Sequence, residues 1–275
     1  MIKPMLCKTM PEAIDDPDYI WERKYDGARI IAADGRLWGR SGREKTALFP
    51  ELDIHTKLSA VLDGEVVSGE AFNGIQHRIN RVNGIYSAAK DFPASFEVFD
   101  ILEADGKNLQ NLPLLKRKEL LEKILIPTDN VRLAPVVDTF GVKLFELARS
   151  EQWEGIIGKK KTGTYLQDKR EWLKVKCWQL GKFLVVGYTE GTGWRASTFG
   201  ALVLSDLKGS YVGSVGTGFN DKEIAALYRM LVPGSCPFSR EPEKATWVKP
   251  FAVKIQYLEF TNDQRLRFPS FKGVV

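Results

Sequence analysis

Two rhythms of apolar and polar positions divide the chain. In the first, Tyr19-Ile20-Trp21 leads through a polar stretch into the apolar run Ile30-Ile31-Ala32-Ala33. Asp34-Gly35 then reads as a tight hairpin turn, with Arg36-Leu37-Trp38 returning. Residues 62–67 and 96–102 are further strand-like runs. Residues 114–125 carry Leu114, Leu115, Leu120, Leu121, Ile124 and Leu125 between charges, the spacing of an amphipathic helix, and residues 142–151 read as another. In Trp172-Leu173-Lys174-Val175-Lys176 the strand alternation sets Lys174 and Lys176 on one face. From Gly181 the rhythm shortens. Runs at 183–188, 199–204, 211–215 and 253–261 predict strands, and Asn220-Asp221-Lys222-Glu223 opens a helix with a capping-box pattern. About five short strands with one helix fit a small β-barrel of the OB type.

Composition narrows the class. The 275 residues are long enough for one large domain or two smaller ones, and 44% hydrophobic with 27% charged residues is ordinary for a globular protein. No apolar run approaches the roughly 18 residues of a membrane helix, so no membrane is expected. The N-terminus lacks a signal-peptide core. Cys7, Cys177 and Cys236 are few and have no C-x-x-C spacing, which predicts a reducing cytoplasm and no structural zinc. The net charge of +5 is modest, but Lys159, Lys160, Lys161, Lys169, Arg170, Lys174, Lys176 and Lys182 are opposed only by Asp168 and Glu171 over that stretch. Such a cluster is either a phosphate-facing surface or a solvated face.

The candidate chemistry centres on Lys24, placed just before a strand. A lysine is nucleophilic only when neutral, a form that burial or a neighbouring cation favours. Arg23 and Arg29 stand close to it in sequence. Glu65, between apolar residues of a strand, is costly unless paired or bound to metal.

Lys24-Tyr25-Asp26-Gly27-Ala28-Arg29 resembles the K-x-D-G-x-R signature of ATP-dependent DNA ligases and related nucleotidyltransferases. Other family motifs follow in order. Gly39-Arg40-Ser41-Gly42-Arg43 resembles S-R-S-G, with Gly39 in place of serine. Leu62-Asp63-Gly64-Glu65 resembles D-G-E, and Phe72 to Arg78 resembles F-x-x-x-Q-x-R, His77 being read as structural. Val98-Phe99-Asp100 resembles V-F-D, Glu154-Gly155-Ile156-Ile157-Gly158-Lys159 resembles E-G-h-h-x-K, and Trp172 to Lys176 resembles W-h-K-h-K. Gly213 to Phe219 resembles the V-G-T-G-F of the ligase OB domain, and Arg267-Phe268-Pro269 opens the family's last motif.

The resemblance implies an α+β protein: a ligase-type nucleotidyltransferase domain with antiparallel sheets and flanking helices over residues 1–180, then an OB-fold barrel over 181–275. It implies a cytoplasmic, monomeric DNA ligase of bacterial, archaeal or phage type that uses ATP and Mg2+ or Mn2+ to seal 5′-phosphate/3′-hydroxyl nicks in duplex DNA. Lys24 would carry AMP. Glu22 would accept from the adenine amino group and Phe99 would stack on the ring, while by composition alone Phe99 is a core aromatic. Tyr25, Arg29, Arg40, Glu65, Lys174 and Lys176 complete the implied nucleotide site, and Asp26, Glu65 and Glu154 the implied metal set. Arg43, Lys159, Lys160, Lys161 and Arg267 are the implied DNA contacts. The rivals are an RNA ligase, a capping-type nucleotidyltransferase, or an inactive OB-fold nucleic-acid-binding protein. ATP rather than NAD is expected, because no extra N-terminal domain is seen to hold a nicotinamide. The chain stops before the second arginine and the lysine of the last motif, which predicts slow self-adenylylation beside efficient sealing of pre-adenylylated DNA.

Overall fold

In the computed structural model, residues 2–69 and 72–275 are described, and the side chains of Phe72 and Asn73 are not. The F of the F-x-x-x-Q-x-R match therefore lies outside the described side chains. Two compact units result, one ending at Cys177 and the other spanning Trp178–Val275.

The first unit contains, in chain order, β1 (Leu6–Thr9), β2 (Asp15–Arg23), β3 (Ala28–Ala33), β4 (Arg36–Gly39), β5 (His55–Thr56) and β6 (Ala60–Ser68), then α1 (Phe72–Ile79) and α2 (Ile85–Asp91). It continues with β7 (Ala94–Ala104), β8 (Lys107–Asn108), α3 (Leu114–Ile124), β9 (Leu125–Ile126), β10 (Val131–Leu133), β11 (Val136–Phe140), α4 (Gly141–Ser150), β12 (Gly155–Lys160) and β13 (Arg170–Lys176). One sheet has the order β1-β13-β12-β2-β11, and the other β10-β7-β6-β3-β4 with β8 added on β7. The sheets are mixed rather than purely antiparallel: β1 runs parallel to β13, and β10 parallel to β7. The second parallel pair arises because α3 intervenes between β7 and β10 and carries the chain back to the starting edge.

Apolar residues on alternate strand positions divide the core. One cluster packs Ile30, Leu62, Phe96 and Ile101 of the second sheet against Ile75 of α1 and Leu121 of α3. Another joins Trp21, Ile156, Leu173 and Val175 of the first sheet to Leu144 and Ala148 of α4. A third lies between the two sheets, where Met5, Ile31, Phe99, Tyr165 and Trp172 meet. Each fully buried apolar side chain of this size contributes about 1.5–3 kcal/mol before entropy. His77, exposed, stacks on Phe92 with ring centroids 4.6 Å apart.

The second unit is one five-stranded sheet, with β14 (Gln179–Glu190), β15 (Phe199–Ser205), β16 (Tyr211–Val215), α5 (Asp221–Met230), β17 (Thr246–Tyr257) and β18 (Ser270–Val274). The order is β16-β15-β14-β17-β18, every pair antiparallel. The ends of the sheet curl together: Leu266 N donates to Val212 O at 2.9 Å, and Phe271 N of β18 donates to Thr217 O at 3.0 Å. The sheet is consistent with an OB-fold. The Asn220/Glu223 capping box is present as the sequence predicts. The strand expected at 253–261 instead starts at Thr246, because a register shift against β14 accommodates Pro250, and it ends at Tyr257. No described helix is long and apolar enough to cross a membrane.

Candidate active site

The cleft between the two sheets of the first unit gathers most of the sequence-predicted residues. Lys24 follows β2 directly, and its N–H donates to Gly155 O at 2.9 Å, which pins the chain as it leaves the sheet. Two glycines permit this close packing. A Cβ on Gly27 would meet Val66 O at 2.2 Å, and one on Gly155, at φ +152°, would meet Val175 O at 2.0 Å.

Antiparallel pairing of β12 with β13 and β2 sets Gly155 opposite Lys176, and Ile157 opposite both Lys174 and Glu22. The side chains of Lys24, Lys174, Lys176, Glu154, Glu22 and Lys159 therefore belong to one wall. The facing wall comes from β3, β6 and β7. Arg29 and Glu65 are cross-strand neighbours there. The register shift that pairs Asp63 with Asp100 and Gly64 with Val98 leaves Phe99 in a bulge. Strand alternation sets Phe99 opposite Phe96 and Val98, on the cleft side, and the bulge returns Ile101 to the core behind it.

One end of the cleft holds Lys24. The Lys24 ammonium donates to Glu154 Oε2, and Lys176 Nζ lies 2.7 Å from the other oxygen. Burial disfavours the Lys24 charge, but Glu154, then Glu65 and Asp26, outweigh burial and raise the pKa. This corrects the sequence expectation. The neighbouring arginines do not keep Lys24 neutral; the carboxylates keep it protonated. Burial likewise opposes the Glu154 charge, yet Lys24 and Lys176 hold its carboxyl below the usual range. Lys174 is pushed down by burial and then by Lys176. The Glu65 side chain has no hydrogen bond or ion pair among the described residues, and burial pushes it up to about 7. Arg29 and Lys24 oppose that shift, while Glu154 and Asp63 add to it.

The other end is built on Glu22, which is 2% exposed. Lys159 Nζ donates to Glu22 Oε2 at 2.6 Å, and Lys118 of α3 pairs with the other oxygen. Burial opposes the Glu22 charge, but Lys118 and Lys159 hold its carboxyl below the usual range. Lys159 also lies 4.1 Å from the Phe99 ring centroid and 4.2 Å from that of Trp172. Burial lowers its pKa to about 8; Glu22 opposes that fall and Lys118 adds to it. Tyr25 lines the same cleft, its phenol raised by burial and by Glu97.

Arg29 is committed within the wall. Its Nε and Nη2 donate to the two oxygens of Asp63 at 2.5 and 2.6 Å, and Tyr165 OH donates to the same carboxylate at 2.6 Å. Arg40 and Arg43 are exposed and do not line this cleft. Arg40 lines an adjoining opening that Arg29 shares.

Several expectations change. Lys159 was expected on a DNA-facing surface, but it is 1% exposed, because β12 turns it inward onto Glu22. Lys161 is ion-paired with Asp138. Arg267 pairs with Glu259 at 2.7 Å, its side chain only 10% exposed. Lys160 remains exposed. Asp26, Glu65 and Glu154 do not form a ready-made metal cage: among the described residues no group of three or more His, Cys, Asp or Glu side chains is set to hold a metal. Glu65, half-buried, with no side-chain bonding partner among the described residues and raised in pKa, is still a carboxylate that a cation would relieve. A site with one such ligand suits a hard ion such as Mg2+, which keeps water and substrate phosphates in its shell.

Lys118 and Tyr165 stand in none of the family motifs, and Asp63 and Trp172 enter only as motif members with no role assigned. Lys118 and Arg117 interrupt the apolar spacing of α3, and Arg117 is fully buried on Asp100 with two 2.8 Å bonds. Basic residues on the inward side of an amphipathic helix were the available signal.

Comparison with known proteins agrees with this geometry. Residues 4–176 match the family described as ATP dependent DNA ligase domain, and residues 181–274 match the ATP dependent DNA ligase C terminal region. The chain belongs to the ATP-dependent DNA ligases. Enzymes of this family use ATP with a divalent metal such as Mg2+. The multifunctional non-homologous end joining protein LigD of Mycolicibacterium smegmatis is 33% identical over 93% of the chain, which spans 36% of that relative's length. The SPbeta prophage-derived DNA ligase-like protein LigB of Bacillus subtilis is 28% identical, over 99% of this chain and 98% of its own. The solved mycobacterial DNA ligase D complexed with ATP is 28% identical with a TM-score of 0.57, covering all of this chain and 95% of that one. A Lig E DNA ligase, 18% identical with full coverage of both chains, shares the fold at a TM-score of 0.73.

Proposed function

We propose that this ligase seals 5′-phosphate/3′-hydroxyl nicks in duplex DNA through an AMP carried on Lys24. The observation behind the reading is the constellation around one amine: Lys24 bonded to Glu154, with Lys176 on the same carboxylate and Lys174 alongside. The proposed division is a nucleotidyltransferase domain over residues 1–180 and an OB-fold domain over 181–275, acting as an intracellular monomer. The three free cysteines fit a reducing compartment.

In the first step the Lys24 amine attacks the α-phosphorus of ATP. An N–P bond forms, the bond to pyrophosphate breaks, and pyrophosphate leaves with its electron pair. Lys24 must first give up a proton, and Glu154 is the acceptor already in contact with it. Lys174 and Lys176 are suited to the negative charge that gathers on the phosphates. At the far end Glu22 would accept from the adenine amino group, and Phe99 would offer its ring once Lys159 moves from it. A divalent ion held by Glu65 would neutralise phosphate charge there. AMP next passes to the 5′-phosphate of the nick. The 3′-hydroxyl then attacks that phosphate and AMP leaves.

The test is ATP-dependent joining of a singly nicked duplex beside joining with NAD alone, using the native chain and Lys24→Ala. The expected result is sealing with ATP only, abolished by Lys24→Ala. Sealing that needs NAD, or that survives the substitution, refutes the reading.

A further inference from the structure

Tyr165 stands on the connection 161–169 between β12 and β13, outside the motifs, yet this connection is tied down at its middle. Tyr165 N donates to Gln110 O at 2.7 Å, and Arg117 Nη1 of α3 donates to Gly163 O at 3.1 Å. The Tyr165 ring is thereby delivered into the cluster between the two sheets, where it meets Trp172 edge-on with centroids 5.9 Å apart. Its oxygen accepts from Met5 N at 2.9 Å and donates to Asp63 Oδ2 at 2.6 Å. Met5 N is a donor only, so the single phenol proton is committed to Asp63. Burial and Asp63 raise the phenol's pKa, which keeps that proton in place.

Asp63 is fully buried and takes both Nε and Nη2 of Arg29. Such a pair is fixed internally but not in space. The terminal torsion of an aspartate is broad, so carboxylate and guanidinium can swing together. A third donor from a different element removes that freedom, and Tyr165 supplies it. Nη2 also reaches Met5 O at 3.4 Å, and the guanidinium carbon lies 4.6 Å from the Phe99 ring centroid and 5.0 Å from that of Trp172. The remaining nitrogen, Nη1, has no bond among the described residues. Arg29 lines the cleft that holds Lys24, and Arg29 and Lys24 are the two cations that act most on Glu65. A phosphate joined to Lys24 falls within the field of both.

We infer that Tyr165 is a positioning residue for lysyl-AMP formation: through Asp63 its hydroxyl turns the Nη1 edge of Arg29 toward the α-phosphate that Lys24 attacks. The inference rests on Lys24 being the residue that carries AMP. Negative charge gathers on the non-bridging oxygens as the N–P bond forms, and a donor held in place beforehand needs no reorganisation at that moment. A small misplacement of such a donor costs rate rather than affinity.

The experiment uses Tyr165→Phe, which keeps the ring and removes the hydroxyl. Single-turnover lysyl-AMP formation is measured over a range of ATP concentration, beside thermal unfolding, in the native chain and in an Arg29→Lys background that leaves Asp63 a cation. In the native chain Tyr165→Phe should lower the saturating rate about tenfold and change the half-saturating ATP concentration by less than about twofold. In the Arg29→Lys background it should change the saturating rate by less than about twofold. The Tm should fall by the same amount in both, because Met5 N loses its acceptor in either. A second measurement uses the two diastereomers of α-thio-ATP and needs no activity from Arg29→Lys. Sulfur accepts hydrogen bonds poorly, so the native chain should prefer one diastereomer and Tyr165→Phe should narrow that preference. A native rate in Tyr165→Phe, a loss confined to the half-saturating concentration, an equal rate loss in the Arg29→Lys background, or an unchanged diastereomer preference would each overturn the inference. A native chain that carries no AMP on Lys24 would overturn the ligase reading of that lysine, and this inference with it. Native labelling of Lys24 with an indifferent Tyr165→Phe would overturn the inference alone.

Discussion

The two ends of the cleft each bury a lysine against a glutamate, and the two lysines behave oppositely. Lys24 faces Glu154, Glu65 and Asp26 and is raised in pKa; Lys159 faces Glu22 but shares it with Lys118 and falls to about 8. Burial works against both ammonium groups. The balance of surrounding charge decides the outcome: several carboxylates around one amine at the nucleophilic end, two amines around one carboxylate at the base end. A buried lysine therefore cannot be taken as a neutral nucleophile from burial alone. On this account Lys24 rests protonated and becomes reactive only when substrate binding redistributes its carboxylates. Lys159 stays a positional donor whose charge is poised near neutral pH.

The comparison breaks most sharply at Glu154. Glu154→Gln should slow single-turnover lysyl-AMP formation by about 100-fold near pH 7. It should also move the alkaline rise of the residual rate to lower pH, because the largest support for the Lys24 proton is gone. Quenched-flow labelling over a range of pH measures both. A rate close to the native one with the native pH profile would mean that the contact is incidental.

Glu65 offers a test of nearly that size. With its pKa pushed up to about 7, the carboxyl holds a proton that a divalent ion must displace. The Mg2+ concentration giving half-maximal adenylylation should rise about tenfold between about pH 8 and about pH 6. Glu65→Gln should remove that dependence. The folded pKa is raised, so the unfolded chain loses the proton first, and the charge costs stability as pH climbs from the ordinary carboxyl range to about 7.

At the base end the effects are smaller and fall on binding. Lys159→Met should raise the KM for ATP by about tenfold, with little change in the rate at saturation. An equal loss in both quantities would move Lys159 into the chemistry. Lys118→Met should raise the KM by only about threefold. Its diagnostic is the pH profile. Removing Lys118 removes one of the causes that depress Lys159, so ATP affinity should persist to higher pH than in the native chain. A profile unmoved by Lys118→Met would reduce Lys118 to a helix anchor. Lys159 itself costs stability below about pH 8, and that cost fades as pH rises toward its ordinary value of 10.5.

The sequence carried the wall positions well, because alternation on β13 and the glycines flanking Lys24 and Glu154 restrict the backbone strongly. Lys174 and Lys176 share a face as their spacing requires. Phe99 was harder to read: alternation sets it opposite Phe96 and Val98, but both faces of β7 are apolar, so the pattern does not tell which face lines the cleft. Charge-rich stretches were the least legible. Residues 159–161 read as one basic patch, yet β12 buries Lys159, exposes Lys160 and lets Lys161 reach Asp138. The partners that decide this, Glu22, Lys118 and Asp138, lie far away along the chain. In the second unit the first three strands and the capping box followed from local pattern, whereas the fourth strand runs Thr246–Tyr257 and β18 lies outside the expected runs.

On the proposed reading position, not basicity, selects the nucleophile, since Lys159 is the more readily neutral of the two amines. The most direct measurement is incubation of the native chain with α-labelled ATP and Mg2+, then mass-spectrometric mapping of the labelled peptide before and after addition of nicked duplex. A single phosphoramide on Lys24, discharged by the nick, is expected. Label on Lys159 or any other lysine, or label on Lys24 that nicked DNA does not remove, would contradict it.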